Sequence, residues 1–224
     1  MKRTIFITGT DTGVGKTVLA ALLTRFLREH GVNVAALKPV CSGNRDDAYM
    51  LHAAMNGILS LDEINPWHFR APIAPLLAAR RERKHVKFAD VLAHVRTMQR
   101  RSEVILVEGA GGLLSPLGGN FDSRDLLTAL HATPLIVCPN RLGAVNQALL
   151  AIEALPKNFR ARARVVLVSP PKPDAATASN AKLLAEFFEA KRVYSMPWLG
   201  KGFEAGRIIQ NPAVRRTLRG LVRS

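Results

Sequence analysis

At 224 residues, with 48% of them hydrophobic and 22% charged, the chain has the length and balance of one sizeable folded domain, which excludes a disordered chain and two ordinary domains joined by a linker. No apolar stretch approaches the ~20 residues that span a bilayer, and Asp11 with the glycines after it interrupts the opening segment before a signal-peptide core forms, so the start reads as part of the mature fold. The net charge of +15 raises the question of a nucleic-acid partner, but the arginine-rich runs are scattered, lack interleaved aromatics and match no nucleic-acid-binding pattern, so a solvated basic surface that attracts anionic substrates is the better reading.

Residues 4–8 form the first β-rich run, and a glycine-rich loop leads from it into a helical stretch over 17–29. A second strand is expected over 32–37. Prolines 66, 72 and 75 with Trp67 and Phe69 then break the rhythm, so 60–87 is a structured excursion. The helix over 88–100 carries Phe88, Val91, Leu92, Val95 and Met98 on one stripe. Strands at 104–107, 135–138, 165–168 and 193–196 alternate with helices at 144–155, 181–190 and 212–222. Strand and helix in turn predict a single α/β domain over 1–224 with a mostly parallel sheet and helices on both faces, and the glycine-rich loop after the first strand makes it a P-loop fold. Cys41 and Cys138 match no metal-ligand or redox spacing, and a reducing cytoplasm fits them.

The strongest motif is Gly9-Thr10-Asp11-Thr12-Gly13-Val14-Gly15-Lys16-Thr17, placed between a strand and a helix. Successive backbone N–H groups of such a loop point at phosphate oxygens and the following helix adds its positive end. Lys16 then reaches the β and γ phosphates and Thr17 ligates magnesium. The loop is one residue longer than the usual phosphate-loop spacing, with Thr10 where the first glycine is expected. The strand at 104–107 ends in Glu108-Gly109-Ala110-Gly111-Gly112, which makes Glu108 a candidate for the acid beside the metal and leaves room for a ligand to approach the glycines.

With Lys38-Pro39-Val40-Cys41-Ser42-Gly43 after the second strand, these three segments together resemble the dethiobiotin synthetase family. Asp47-Ala48, the 71–75 run Ala-Pro-Ile-Ala-Pro, the 142–146 run Leu-Gly-Ala-Val-Asn and Pro197-Trp198-Leu199 extend the resemblance over the whole domain. It implies an enzyme that uses ATP and Mg2+ to join CO2 to 7,8-diaminononanoate. An amine captured as a carbamate attacks the γ-phosphorus, and the resulting carbamic-phosphoric anhydride is closed to the cyclic urea by the second amine.

Carried over to this chain, the resemblance makes Lys38, Lys16, Thr12 and Ser42 the catalytic set, with Thr17, Asp47 and Glu108 holding the metal. Gly13, Val14, Gly15, Val18, Gly109, Ala110, Gly111, Ser169, Pro197, Trp198 and Leu199 join Lys16, Thr17, Asp47 and Glu108 around the nucleotide. Ser42, Arg141, Gly143, Ala144, Val145 and Asn146 would meet the diamine substrate, the last five from the other subunit of a homodimer. Cys41 is read as packing.

Two positions depart from the family pattern. Residues 169–173 read Ser-Pro-Pro-Lys-Pro where relatives carry an Asn-Asp segment that reads the base, so selectivity among triphosphates is expected to fall. Gly13 stands where some relatives have glutamate, and glycine suits the turn. The rival from another class is a switch ATPase of the chromosome-partitioning type that binds DNA, whose loop carries an extra lysine where this chain has Asp11. An amide-forming synthase of the cobyrinic acid type would need a glutaminase domain for which 224 residues leave no room. A nucleotide-binding protein without the chemistry has only the altered 169–173 segment in its favour.

Overall fold

The computed structural model describes residues 3–200 and 202–222; Met1 and Lys2, part of the start assigned to the mature fold, lie outside them. Ten strands occur in chain order among the described residues: β1 (Arg3–Gly9), β2 (Val34–Leu37), β3 (Val40–Ser42), β4 (Trp67–Phe69), β5 (Val104–Gly112), β6 (Pro116–Gly118), β7 (Phe121–Asp122), β8 (Thr133–Pro139), β9 (Arg164–Val168) and β10 (Val193–Met196). The helices are α1 (Lys16–Glu29), α2 (Asp46–Ala54), α3 (Leu61–Ile64), α4 (Pro75–Arg81), α5 (Phe88–Arg101), α6 (Ser123–Ala129), α7 (Ala144–Glu153), α8 (Lys157–Arg160), α9 (Ala175–Phe187), α10 (Ala205–Ile208) and α11 (Pro212–Val222).

Six strands form one parallel sheet in the order β10-β9-β8-β1-β5-β2. Its strands are apolar on both faces because helices cover both. Ile5 and Ile7 of β1 pack with Leu106 and Val137 against α1, α2 and α11, while Phe6 packs with Ile105, Val107 and Ile136 against the layer of α5, α6 and α7. The alternation follows from the two-residue period of a strand. β1 lies between β5 and β8, so the loops at the carboxyl ends of these three central strands meet over one crevice, the usual ligand position of an open α/β sheet.

The predicted elements are present, with shifted ends. β2 starts at Val34 instead of residue 32 because the Val32 N–H donates to Leu27 O in the turn closing α1, where Gly31 has φ +76°. The helix expected over 181–190 begins at Ala175, since Asp174 and Thr177 form a reciprocal capping box, and it ends at Phe187. The 60–87 excursion contains α3, β4 and α4, and β4 pairs in parallel with β3 to wall the crevice. The β6-β7 hairpin and α6 have no strong periodicity and were not among the predicted elements.

Candidate active site

β1 delivers the phosphate loop to the centre of the crevice, with Gly9 in register beside Gly112 of β5. Gly13 and Gly15 have φ of +72° and +97°, a left-handed backbone that a side chain would strain. A Cβ on Gly9 would lie 2.6 Å from Val14 Cγ2, so this glycine lets the longer loop fold tightly on itself. Gly15 caps α1 without a side-chain bond, leaving the first turn of that helix to face an anion. Lys16 folds back over the loop, its Nζ donating to Asp11 O at 2.7 Å. Burial lowers the Lys16 pKa, an effect only partly opposed by Glu108.

The acid cluster sits beside the loop. Glu108, 2% exposed, lies within β5, which runs on past the expected end at residue 107 to Gly112; it accepts from Thr17 Oγ1 at 2.7 Å and from Lys38 Nζ at 2.8 Å, both on Oε1. Lys38 Nζ also donates to Asp47 in the first turn of α2. Burial alone would lower the Lys38 pKa, but Glu108 and Asp47 outweigh it and push the ammonium well above its ordinary value. Asp47 would be raised by its own partial burial, yet the Lys38 charge and hydrogen bond, with Thr17, hold it below the usual carboxylate range.

Thr17, Asp47 and Glu108 thus present hard oxygens at one point. Glu108 Oε2 is buried and has no hydrogen-bond partner among the described residues, a lone acceptor that suits a small divalent cation.

The far wall comes from the excursion. Ser42 at the end of β3 donates from Oγ to Ile73 O at 2.5 Å, tying the Pro72–Pro75 turn to the cleft. The cleft has a volume of about 650 Å³, and Thr12, Lys16, Lys38, Ser42, Asp47 and Glu108 all line it. Gly13, Gly15, Thr17, Val18, Ala110 and Gly111 line it as well. A second, more apolar cavity of about 300 Å³ on the other side of the loop is lined by Val14, Val168, Met196, Trp198 and Leu199.

Other positions fall elsewhere. Gly109 faces the core, where a Cβ would lie 2.8 Å from Ser123 Oγ and 3.1 Å from the Phe6 ring. Ser169 and Pro197 flank the second cavity in sequence without lining it, and the Ser169 N–H is engaged by Met196 O at 2.9 Å. Arg141, Gly143, Ala144, Val145 and Asn146 open α7, with Gly143 at φ +88°, and line neither cavity.

Sequence reasoning missed Met50, Ser115 and Pro116 as cleft residues. The Ser115 Oγ accepts from Gly112 N at 2.8 Å, and it closes the end of β5 in a way that only the fold reveals. Cys41 also lines the cleft, with its thiol pKa raised by burial, in keeping with a packing role.

Residues 3–202 match the family described as AAA domain. An ATP-dependent dethiobiotin synthetase from Anaeromyxobacter dehalogenans is 38% identical over 88% of this chain and 90% of its own. A namesake from another Anaeromyxobacter strain is 44% identical over 68% of this chain and 70% of its own, and one from Bacillus velezensis is 38% identical over 67% of each. Among solved structures, a ParA family ATPase from Chlorobium tepidum aligns with 99% of this chain and 100% of its own at a TM-score of 0.60 and 12% identity. The pNOB8 ParA, solved bound to nonspecific DNA, aligns over 100% and 98% at 0.60 and 14%. At such identity these two share the fold with this chain and nothing finer. On its relatives' identity and coverage, matched by a phosphate loop, a lysine and an acid that converge on one cleft, the chain belongs to the dethiobiotin synthetase family.

Proposed function

We propose that this chain, working as one domain, uses ATP to carboxylate 7,8-diaminononanoate and close it to dethiobiotin, releasing ADP and phosphate. The observation that carries the reading is the convergence of Lys38 and Lys16 on the cleft that also holds Thr17, Asp47 and Glu108. Every step of the reaction moves negative charge, first onto a carbamate, then onto the transferred phosphoryl group, then onto phosphate. Lys38, kept protonated by its two acids, is suited to stabilise the carbamate and γ-phosphate charge. It is the wrong protonation state for a base. Lys16 and the α1 N-terminus would hold the triphosphate from the opposite side, while Thr12 and Ser42 hydrogen-bond the reacting groups.

Thr17, Asp47 and Glu108 are the residues that would hold Mg2+, which when bound neutralises charge on the β and γ phosphates. The aromatic and aliphatic walls of the second cavity suit the base, with Trp198 as its stacking surface. Gly109, Ala110 and Gly111 carry the strand end past the nucleotide, and Gly109 contributes by packing.

Because residues 141–146 line neither cavity of their own chain, a second copy supplying them to the diamine's carboxylate fits the homodimer. The free, buried Cys41 and Cys138 suit a reducing cytoplasm. Among the described residues no helix is long and apolar enough to cross a membrane.

The test is phosphate release from ATP with and without the diamine and bicarbonate. Release that requires the diamine supports the reading; release that ignores it and rises with DNA would favour the switch ATPase.

A further inference from the structure

α9 carries an asparagine where its core-facing stripe calls for an apolar residue: Asn180 is 6% exposed and shares the buried face with Leu184. A buried amide is costly unless its donors are used, and here they are. Asn180 Nδ2 donates to Asn140 Oδ1 and to Arg141 O, each at 2.9 Å. Asn140, 2% exposed, donates from Nδ2 to Thr177 O at 3.0 Å and from its backbone N–H to Val168 O at 2.8 Å. The loop between β8 and α7 is therefore tied to α9 by a buried polar knot, although the loop itself runs on the surface.

The Arg141 carbonyl receives two donors, Asn180 Nδ2 and the Ala144 N–H at 3.0 Å, so its oxygen is turned into the protein. In a trans peptide the carbonyl and the following N–H point in opposite directions, and the Leu142 N–H is accordingly turned outward with the opening turn of α7. Without Asn180, the 141–142 peptide could rotate and present its carbonyl oxygen to an approaching anion. That orientation would repel a carboxylate where the helix terminus should attract it.

We propose that Asn180 is a positioning residue for substrate, holding the 141–142 peptide so that the start of α7 accepts the carboxylate of the diamine. This rests on the reading that residues 141–146 meet that carboxylate.

The test compares the diamine acid with its methyl ester, which lacks the carboxylate charge, in the wild type and in Asn180→Leu, which keeps the number and branching of the side-chain heavy atoms and removes the donors. The expected result is a rise of about tenfold in KM for the acid, with kcat and the KM for ATP unchanged and little further loss on the ester. Asn180→Ser, whose hydroxyl is too short to reach the Arg141 carbonyl, should give the same pattern and serves where the leucine variant does not fold. A wild type that prefers the acid, combined with variants that lose equally on acid and ester, would overturn the positioning role alone. A wild type that uses acid and ester equally would remove the carboxylate reading and the proposal with it.

Discussion

Lys38 sits where two carboxylates compete for it, and this decides what its removal does. It is only 5% exposed, so Lys38→Ala leaves Glu108 with Thr17 as its remaining hydrogen-bond partner among the described residues and, on the proposed mechanism, takes the charge away from the reacting phosphoryl group. The phosphate loop does not depend on it. Turnover of Lys38→Ala should therefore fall by about two orders of magnitude or more while ATP affinity, measured by titration calorimetry, stays within about threefold. A variant as active as the wild type would remove Lys38 from the mechanism.

The loop residues were legible in the sequence because a phosphate loop is local: nine consecutive residues between a strand and a helix carry the whole pattern. The meeting of Lys38, Asp47 and Glu108 was not local, and only the family motifs brought residues so far apart in the chain to one place. The Asn140–Asn180 pair left no trace in sequence, because an asparagine on a helix face resembles any solvated residue until the helix is packed.

At the scale of elements, the β5 end shows how packing and site depend on each other. The sequence places Gly109 beside the nucleotide for its small size, and the structure gives a different reason for that size: Ser123 of α6 and the Phe6 ring press against it. Gly109→Ala should destabilise the fold by about 1–3 kcal/mol through overpacking, read as a lower denaturant midpoint, and should disturb the adjoining Glu108 only secondarily. An unchanged midpoint would mean that α6 yields without cost.

Alternating strands and helices were readable from apolar runs and their periods, since burial on both faces writes itself into β1, β5 and β8. The elements inside the excursion were not, because they are short and held by contacts such as Ser42 to Ile73 O, across 31 residues. The start of α9 at Ala175 was missed for a simpler reason: the Asp174–Thr177 capping box lies directly after a proline-rich run that reads as loop.

For the whole molecule, the cleft of one chain and the α7 loop of another should make one site. Lys38→Ala damages the first and Arg141→Glu the second. Each variant alone should be inactive or nearly so, whereas co-refolded chains should recover about a quarter of wild-type activity, since half the dimers are mixed and each mixed dimer has one intact site. No recovery in a sample shown to contain mixed dimers would contradict a shared site. The basic surface that gives the chain its +15 charge fits anionic substrates without requiring a nucleic-acid partner.

On the proposed function, this cleft forms a cyclic urea from a diamine and a carbon from bicarbonate at the expense of ATP. The most direct measurement is mass spectrometry of the product made from 7,8-diaminononanoate and isotope-labelled bicarbonate with ATP and magnesium. Dethiobiotin carrying the labelled carbon in step with ADP release is the predicted result; ATP hydrolysis that leaves the diamine unchanged would contradict it.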